Sequence, residues 1–334
     1  MRGENKLLDI KKLKVTYRSD NGPVHAVENL NLELGYGETL GFVGETGAGK
    51  TTTAYSIMGL LPSPQAKIES GEITFEGESL LDKKEKELRN IRGRDIAMIF
   101  QDPMTSLNPV MTVIEQVEEM ISLHKKISKK EVKEQAYQIL EKVGIKEERV
   151  FDYPHQFSGG MKQRVVIAIA LSCDPKLLIA DEPTTALDVT IQAQVLELMK
   201  KLKDEFGTSM IMITHDLGIV AEICDKVAIM YAGSVVEYAD KVSLYTNPSH
   251  PYTRGLFNSI PDINKEDTSE LKEIKGHPPD PTNPLLGCNF SSRCEYAMEK
   301  CKKFKPKEYM LSDSHTVNCF LYDNHTYKGG EPNE

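Results

Sequence analysis

Gly44-Glu45-Thr46-Gly47-Ala48-Gly49-Lys50-Thr51 is the stretch that decides the fold. It fits G-x-x-x-x-G-K-[ST], the pattern of a phosphate-cradling loop. Its setting fits too. Thr39 to Val43 reads as a short apolar strand, and a helix is predicted from Lys50 to about Leu60. Glycines let the backbone close tightly around an anion with its N–H groups turned inward. The helix N-terminus adds a partial positive charge. Lys50 has the reach for β- and γ-phosphates, and the Thr51 hydroxyl can ligate Mg²⁺. A chance glycine-rich turn accounts for the glycines, but not for the strand before them or the helix after them.

Outward from this loop, strand-like and helix-like stretches alternate over the first two thirds of the chain, the pattern of an α/β domain. Strands are predicted at Leu7–Tyr17, Ala26–Leu34, Gly71–Phe75, Ile96–Phe100, Lys176–Ala180 and Ser209–Thr214. Ser128 and Glu131 form a capping box that opens a helix running to Gly144. Further helices are predicted from about Met161 and from about Ile191. The apolar strand Leu177-Leu178-Ile179-Ala180 ends in Asp181-Glu182. Asp181 can hold the metal, directly or through water. Glu182, one residue on, points elsewhere and can polarise an attacking water as general base. Ser158-Gly159-Gly160 opens the Met161 helix with a hydroxyl and two glycines, a second anion-binding end. It lies 108 residues beyond Lys50 and 23 before Asp181. One chain has no evident need for two phosphate cradles, whereas a dimer that sandwiches nucleotide between two chains does.

The chain has 334 residues, 40% apolar and 27% charged, with a formal net charge of −9. That is the balance of a folded globular protein, and it disfavours a nucleic-acid role, which usually calls for a basic surface. The longest aliphatic run, Val165 to Leu171, has seven residues. A membrane-spanning helix needs roughly 20. Met1 to Lys6 lacks the apolar region of a signal peptide, so a cytosolic location is expected, with disulfides disfavoured. Cys173 and Cys224 read as small core residues. Cys288, Cys294, Cys301 and Cys319 crowd the last 47 residues, which suggests a metal.

With these motifs assembled, the chain resembles the ABC-type ATPases over about residues 6–260. The resemblance implies an α/β P-loop NTPase fold with a helical subdomain, at about residues 102–172, and an antiparallel β subdomain. It implies binding of ATP and Mg²⁺ by Gly44 to Thr51 together with Thr52, and by Asp181. It carries Tyr17 to the position that stacks on adenine, although Val24 and Val27 also qualify as lining. Gln101 matches the glutamine of a lid loop between the metal and the membrane partner. Ser158-Gly159-Gly160-Met161 matches the signature sequence, with methionine in place of the common glutamine. Asp188 falls in the loop that crosses the dimer interface, and His215 matches the histidine that contacts the γ-phosphate. Lys50, Gln101, Glu182 and His215 form the expected catalytic set.

A narrower resemblance covers about residues 247–320. Asn247-Pro248-Ser249-His250-Pro251-Tyr252-Thr253-Arg254-Gly255-Leu256 and Gly287-Cys288-Asn289-Phe290-Ser291-Ser292-Arg293-Cys294 look like the C-terminal region of oligopeptide/dipeptide importers. Nickel importers are close relatives. A soluble ABC ATPase acting on nucleic acid or ribosomes is the rival class, opposed by the short spacing, the single cassette and the acidic charge. The resemblance implies a peripheral subunit at the cytoplasmic membrane face. It is expected to pair with a second, often different, ATPase chain, with two permease subunits and, indirectly, with a peptide-binding protein. Residues 261–334 are expected as a Pro-rich linker followed by a small Cys-rich metal domain. The spacing C-x₅-C-x₆-C-x₁₇-C is wider than the usual zinc pairs, and the family pattern implies a 4Fe–4S cluster, with zinc as the alternative. Arg293, Lys300, Lys302 and Lys303 are expected to offset its charge. The segment reads as a staple that leaves ATP hydrolysis by the core largely untouched.

Overall fold

The computed structural model describes residues 6–20, 22–185, 187–259 and 273–324, with the backbone alone at 103 and 104. Ala186, residues 260–272 at the start of the expected linker and the polar tail past residue 324 lie outside the described residues. In chain order the strands are β1 (Lys6–Ser19), β2 (Gly22–Gly35), β3 (Thr39–Val43), β4 (Ala66–Phe75), β5 (Glu78–Ser79), β6 (Ile96–Ile99), β7 (Leu177–Asp181), β8 (Ser209–Thr214), β9 (Lys226–Tyr231), β10 (Ser234–Asp240), β11 (Tyr309–Ser312) and β12 (His315–Val317).

They form two sheets. One has the order β2-β1-β4-β5 and is antiparallel throughout. The other has the order β11-β12-β10-β9-β3-β8-β7-β6. In it β9, β3, β8, β7 and β6 run parallel, while β10, β12 and β11 alternate in direction at one edge. Every residue of β3, β7 and β8 is buried. Parallel strands covered on both faces read as continuous apolar runs, which is why Thr39–Val43 and Leu177–Ala180 show no alternation.

Helices Val113–His124, Lys129–Lys142 and Gly159–Leu171 pack together beside the β6 edge. Val117, Ile121, Ala136, Leu140, Val165 and Leu171 fill their shared core. The expected Ser128–Glu131 capping box is present, and Thr112 with Glu115 forms a second one. The first helix stops at Met58, two residues short of expectation, because Gly59 turns into the left-handed region at φ 62°. Strand β4 starts at Ala66 rather than Gly71, since Ala66 to Ile68 pair with Val15 to Tyr17. The hairpin β11–β12 is not among the strands expected from the sequence. It borrows its pairing from β10, a partner some 75 residues away, and so carries little local signal.

Candidate nucleotide site

Four of the expected functional segments sit at the C-terminal ends of neighbouring parallel strands. The Gly-rich loop follows β3, His215 follows β8, Asp181-Glu182 ends β7, and Gln101 follows β6. In an open α/β sheet this edge is where ligands bind, because loops and helix N-termini converge there.

The loop needs its glycines. Gly47 and Gly49 sit at φ 80° and 104°, where a side chain is strained. A Cβ on Gly49 would stand 2.3 Å from the Ala26 carbonyl oxygen, and one on Gly44 only 2.2 Å from that of Met230. The Lys50 ammonium donates to the carbonyls of Gly44 (2.7 Å) and Glu45 (3.1 Å), so it lies across the mouth of the loop. Burial pulls Lys50 down while Glu182, Asp181 and Glu45 hold it up. Asp181 is 2% exposed. Burial pushes its carboxyl up and the Glu182 charge adds to that, while the Thr51 hydroxyl, hydrogen-bonded to it, and Lys50 oppose the push. Thr51 and Asp181, both expected on the metal, therefore meet. A hydroxyl and a carboxylate side by side are the oxygen donors a hard divalent cation takes.

Glu182 is the centre of the site. Its Oε2 accepts from Gln101 Nε2 (3.1 Å) and from Thr185 Oγ1 (3.1 Å), and its Oε1 lies 3.2 Å from His215 Nδ1. Residues separated by up to 114 positions thus share one carboxylate. Burial pushes Glu182 up, but the bond and charge of His215 and the bonds from Thr185 and Gln101 win, and the carboxyl sits below its ordinary value. At neutral pH it is ionised. Thr185 was not expected from the sequence. Its position three residues past Glu182, within hydrogen-bonding reach through a turn, was the available signal.

Tyr17, in β1, comes within 3.4 Å of the Thr52 hydroxyl and so borders the helix that leaves the Gly-rich loop. Ser158 caps the helix Gly159–Leu171 by accepting from Met161 N–H, and it is exposed. Asp188 caps the helix Val189–Phe206 in the same way, through Ile191 N–H. The two caps are neighbours. A Cβ on Gly160 would meet Ile191 at 2.4 Å, and one on Gly159 would touch Leu187. No hydrogen bond among the described residues joins Ser158, Gly159 or Gly160 to the Gly-rich loop or to Glu182.

The Cys-rich segment departs from expectation in two respects. Cys288, Cys294, Cys301 and Cys319 do line one cavity, of about 10 Å³, with His250 and Phe290. Yet among the described residues no three His, Cys, Asp or Glu side chains stand close enough to hold a metal ion. Burial pushes the thiols of Cys288 and Cys294 up and that of Cys319 up to about 11, so these three are neutral at pH 7. Three of the four cations expected to face the cluster are otherwise engaged: Arg293 with Glu45, Lys300 with Asp323 and Lys302 with Glu299. Through Arg293 the segment touches the Gly-rich loop, to which Glu45 belongs. A second cavity, of about 180 Å³, lies between residues 45–48 of that loop and Pro278, Pro279 and Pro281. Lys50, Thr51 and Asp181 do not line it, so it flanks the phosphate site.

Comparison with known proteins bears on this geometry. Residues 27–185 match the family described as ABC transporter, and residues 236–301 match the oligopeptide/dipeptide transporter C-terminal region. The oligopeptide transport ATP-binding protein OppD of Bacillus subtilis is 51% identical over 95% of this chain and 89% of its own length. The dipeptide transport ATP-binding protein DppD of the same organism is 50% identical over 95% of both chains. Among solved structures, the dimeric post-hydrolysis form of the ATP-binding cassette MJ0796 with ADP and Pi superimposes with a TM-score of 0.63. It is 29% identical over 70% of this chain and 98% of that one. Half-identity along nearly the whole length, with both regions matched in order, places this chain in the ABC transporter family, among the ATP-binding proteins of the oligopeptide/dipeptide type.

Proposed function

We propose that this ATPase energises import of di- and oligopeptides, with Glu182 as the general base of hydrolysis. The convergence of Gln101, Thr185 and His215 on the Glu182 carboxylate carries this reading. It keeps an ionised base oriented beside Asp181 and the Gly-rich loop. Gly44 to Thr52 bind the phosphates, Lys50 meets the β- and γ-oxygens, and Tyr17 stacks on adenine. Thr51 and Asp181 hold Mg²⁺, with Gln101 completing that side; the ion supplies charge that offsets the phosphates. Ser158, Gly159, Gly160 and Asp188 act on ATP held by a second ATPase chain, identical or homologous. The dimeric MJ0796 relative supports that arrangement. No helix among the described residues is long and apolar enough to cross a membrane, so the permeation path is assigned to separate permease subunits. The chain then works as a peripheral subunit at the cytoplasmic face, with a peptide-binding protein delivering substrate. The names of the relatives favour peptides over nickel, and they oppose a role outside transport. The test is ATP-dependent uptake of labelled peptides by the reconstituted transporter. Glu182→Gln should keep ATP affinity and lower turnover and uptake about 10²-fold or more. Near-normal hydrolysis by that variant sinks the assignment of the base.

For the C-terminal segment the reading remains a 4Fe–4S cluster on Cys288, Cys294, Cys301 and Cys319, with zinc as the alternative. Four thiols lining a single cavity support it. A tetrahedral zinc needs its sulfurs about 3.8 Å apart, whereas a cluster with one iron per thiolate spreads them further. The cavity has room for about one water, so the thiols must swing outward to admit a cluster. Protein purified without oxygen should carry about four irons per chain and absorb broadly near 400 nm. Stoichiometric zinc without iron overturns the cluster and keeps a metal staple; neither metal overturns both.

A further inference from the structure

The C-terminal segment reaches the phosphate loop through one side chain. Arg293 lies between Cys288 and Cys294 in sequence, and its side chain is 6% exposed. Its Nη1 donates to both carboxylate oxygens of Glu45, at 3.1 and 3.0 Å, and to the Tyr231 hydroxyl at 3.2 Å. Its Nη2 and Nε donate to the carbonyls of Ile274 (3.0 Å) and Lys275 (3.2 Å). All three guanidinium nitrogens are thus in use. Glu45 is gripped again from its backbone, where its N–H donates to the Tyr252 hydroxyl at 3.1 Å. The rings of Tyr231 and Tyr252 lie 4.6 Å apart, and both pack on Phe290 of the Cys segment, at 5.2 and 5.5 Å. The next four residues after Glu45 are the turn that cradles phosphate, and the Glu45 carbonyl is also a Lys50 acceptor.

We propose that Arg293 is a positioning residue for ATP binding. It anchors Glu45, and so fixes the backbone of the phosphate loop from outside the catalytic core. A buried guanidinium can do this where lysine cannot, because its planar fork meets the carboxylate, a hydroxyl and two carbonyls at once. The loop's N–H groups must point inward before nucleotide arrives, and an anchor at the loop's second residue reduces the ordering that ATP has to impose. The effect belongs to nucleotide affinity more than to the chemical step, since no hydrogen bond or ion pair among the described residues joins Arg293 or Glu45 to Glu182, Gln101 or His215. This inference concerns the chain's own residues and holds whichever metal, if any, the cysteines bind.

The test uses the full-length chain in its assembled transporter, with ATP titrations of hydrolysis. Arg293→Ala should raise KM for ATP about 5- to 10-fold and lower kcat less than threefold. Arg293→Lys should fall between the two, because it keeps the charge but loses the fork. Glu45→Ala should raise KM by a similar factor, and the double variant should be no worse than the more impaired single variant. A pure stability role lowers the melting temperature yet leaves the KM of the folded protein unchanged, and that outcome overturns the proposal. Multiplicative effects in the double variant overturn it as well. Should Arg293→Ala fail to fold, Glu45→Gln carries the same comparison from the more exposed partner, and an unchanged KM there is equally decisive.

Discussion

Glu182 adopts a left-handed backbone conformation, φ 46°, at the end of a buried strand. A non-glycine residue there carries strain of order 1–3 kcal/mol, which the surroundings must hold in place. Three side chains and the bond from its own N–H to the Ile213 carbonyl (2.9 Å) do so. The sequence makes Asp181-Glu182 legible as a pair of carboxylates, but not this turn, which is what aims the second one at Gln101 and His215. His215→Ala removes a hydrogen-bond partner that helps hold the base in place. Turnover should fall roughly 10- to 100-fold with little change in KM, measured at saturating ATP; a variant whose loss lies wholly in KM contradicts the arrangement. Tyr17 is a separate case. Its adenine role rests on the resemblance and on the 3.4 Å approach to Thr52. Tyr17→Ala should weaken ATP binding about tenfold, in keeping with on the order of 1 kcal/mol for stacking, while Tyr17→Phe should bind within twofold. Equal affinities for all three proteins refute stacking.

Between elements, the sequence shows clearly what is set locally and poorly what is set at a distance. The Ser128 capping box and the continuous apolar runs of the parallel strands depend on near neighbours, and they are readable. The attachment of the C-terminal hairpin depends on Glu237, an acid in β10 with nothing in the sequence to mark it. Its carboxylate is fully buried and accepts from the backbone N–H of Ser249 (2.7 Å) and His250 (2.8 Å), with His315 Nε2 of β12 at 2.8 Å. It thus ties β10 to the Asn247–Leu256 stretch and to β12. Burial pushes Glu237 up, but His315 and the two N–H groups win and hold it below its ordinary value. A depressed carboxylate stabilises the fold above the unfolded pKa, about 4.3, and that contribution fades as pH falls through the lower folded value. Glu237→Gln should therefore cost about 2 kcal/mol in denaturant unfolding at pH 7. The deficit should shrink as pH falls below about 4.3 and onward through the lower folded value, where the parent carboxyl also takes up its proton. A deficit that is constant from pH 7 to pH 3 means the charge is not what holds the hairpin.

At the level of the whole molecule, the site is divided. The Gly-rich loop, His215, Asp181 with Glu182, and Gln101 all gather at the ends of β3, β8, β7 and β6, whereas Ser158, Gly159 and Gly160 sit at a helix start with no hydrogen bond to any of them among the described residues. Glycine at 160 is needed for packing, because a methyl group there would press on Ile191 at 2.4 Å. The Ser158 hydroxyl caps this helix through Met161 N–H and stays exposed beside its first backbone N–H groups, and a helix start of this kind favours an anion. The solved MJ0796 relative is dimeric, and in the function proposed above the anion is ATP held by a second chain. Ser158→Arg places a long charged side chain over that helix end while leaving the Gly-rich loop, Asp181 and Glu182 as they are. Combined with Glu182→Gln to slow turnover, it should bind ATP with unchanged affinity and fail to form the ATP-dependent dimer in light scattering. The Glu182→Gln protein alone should dimerise as ATP is added. Equal dimerisation by the two would place Ser158 outside the shared nucleotide site, and weakened ATP binding by the isolated chain would mean that the helix end serves the chain's own phosphate loop.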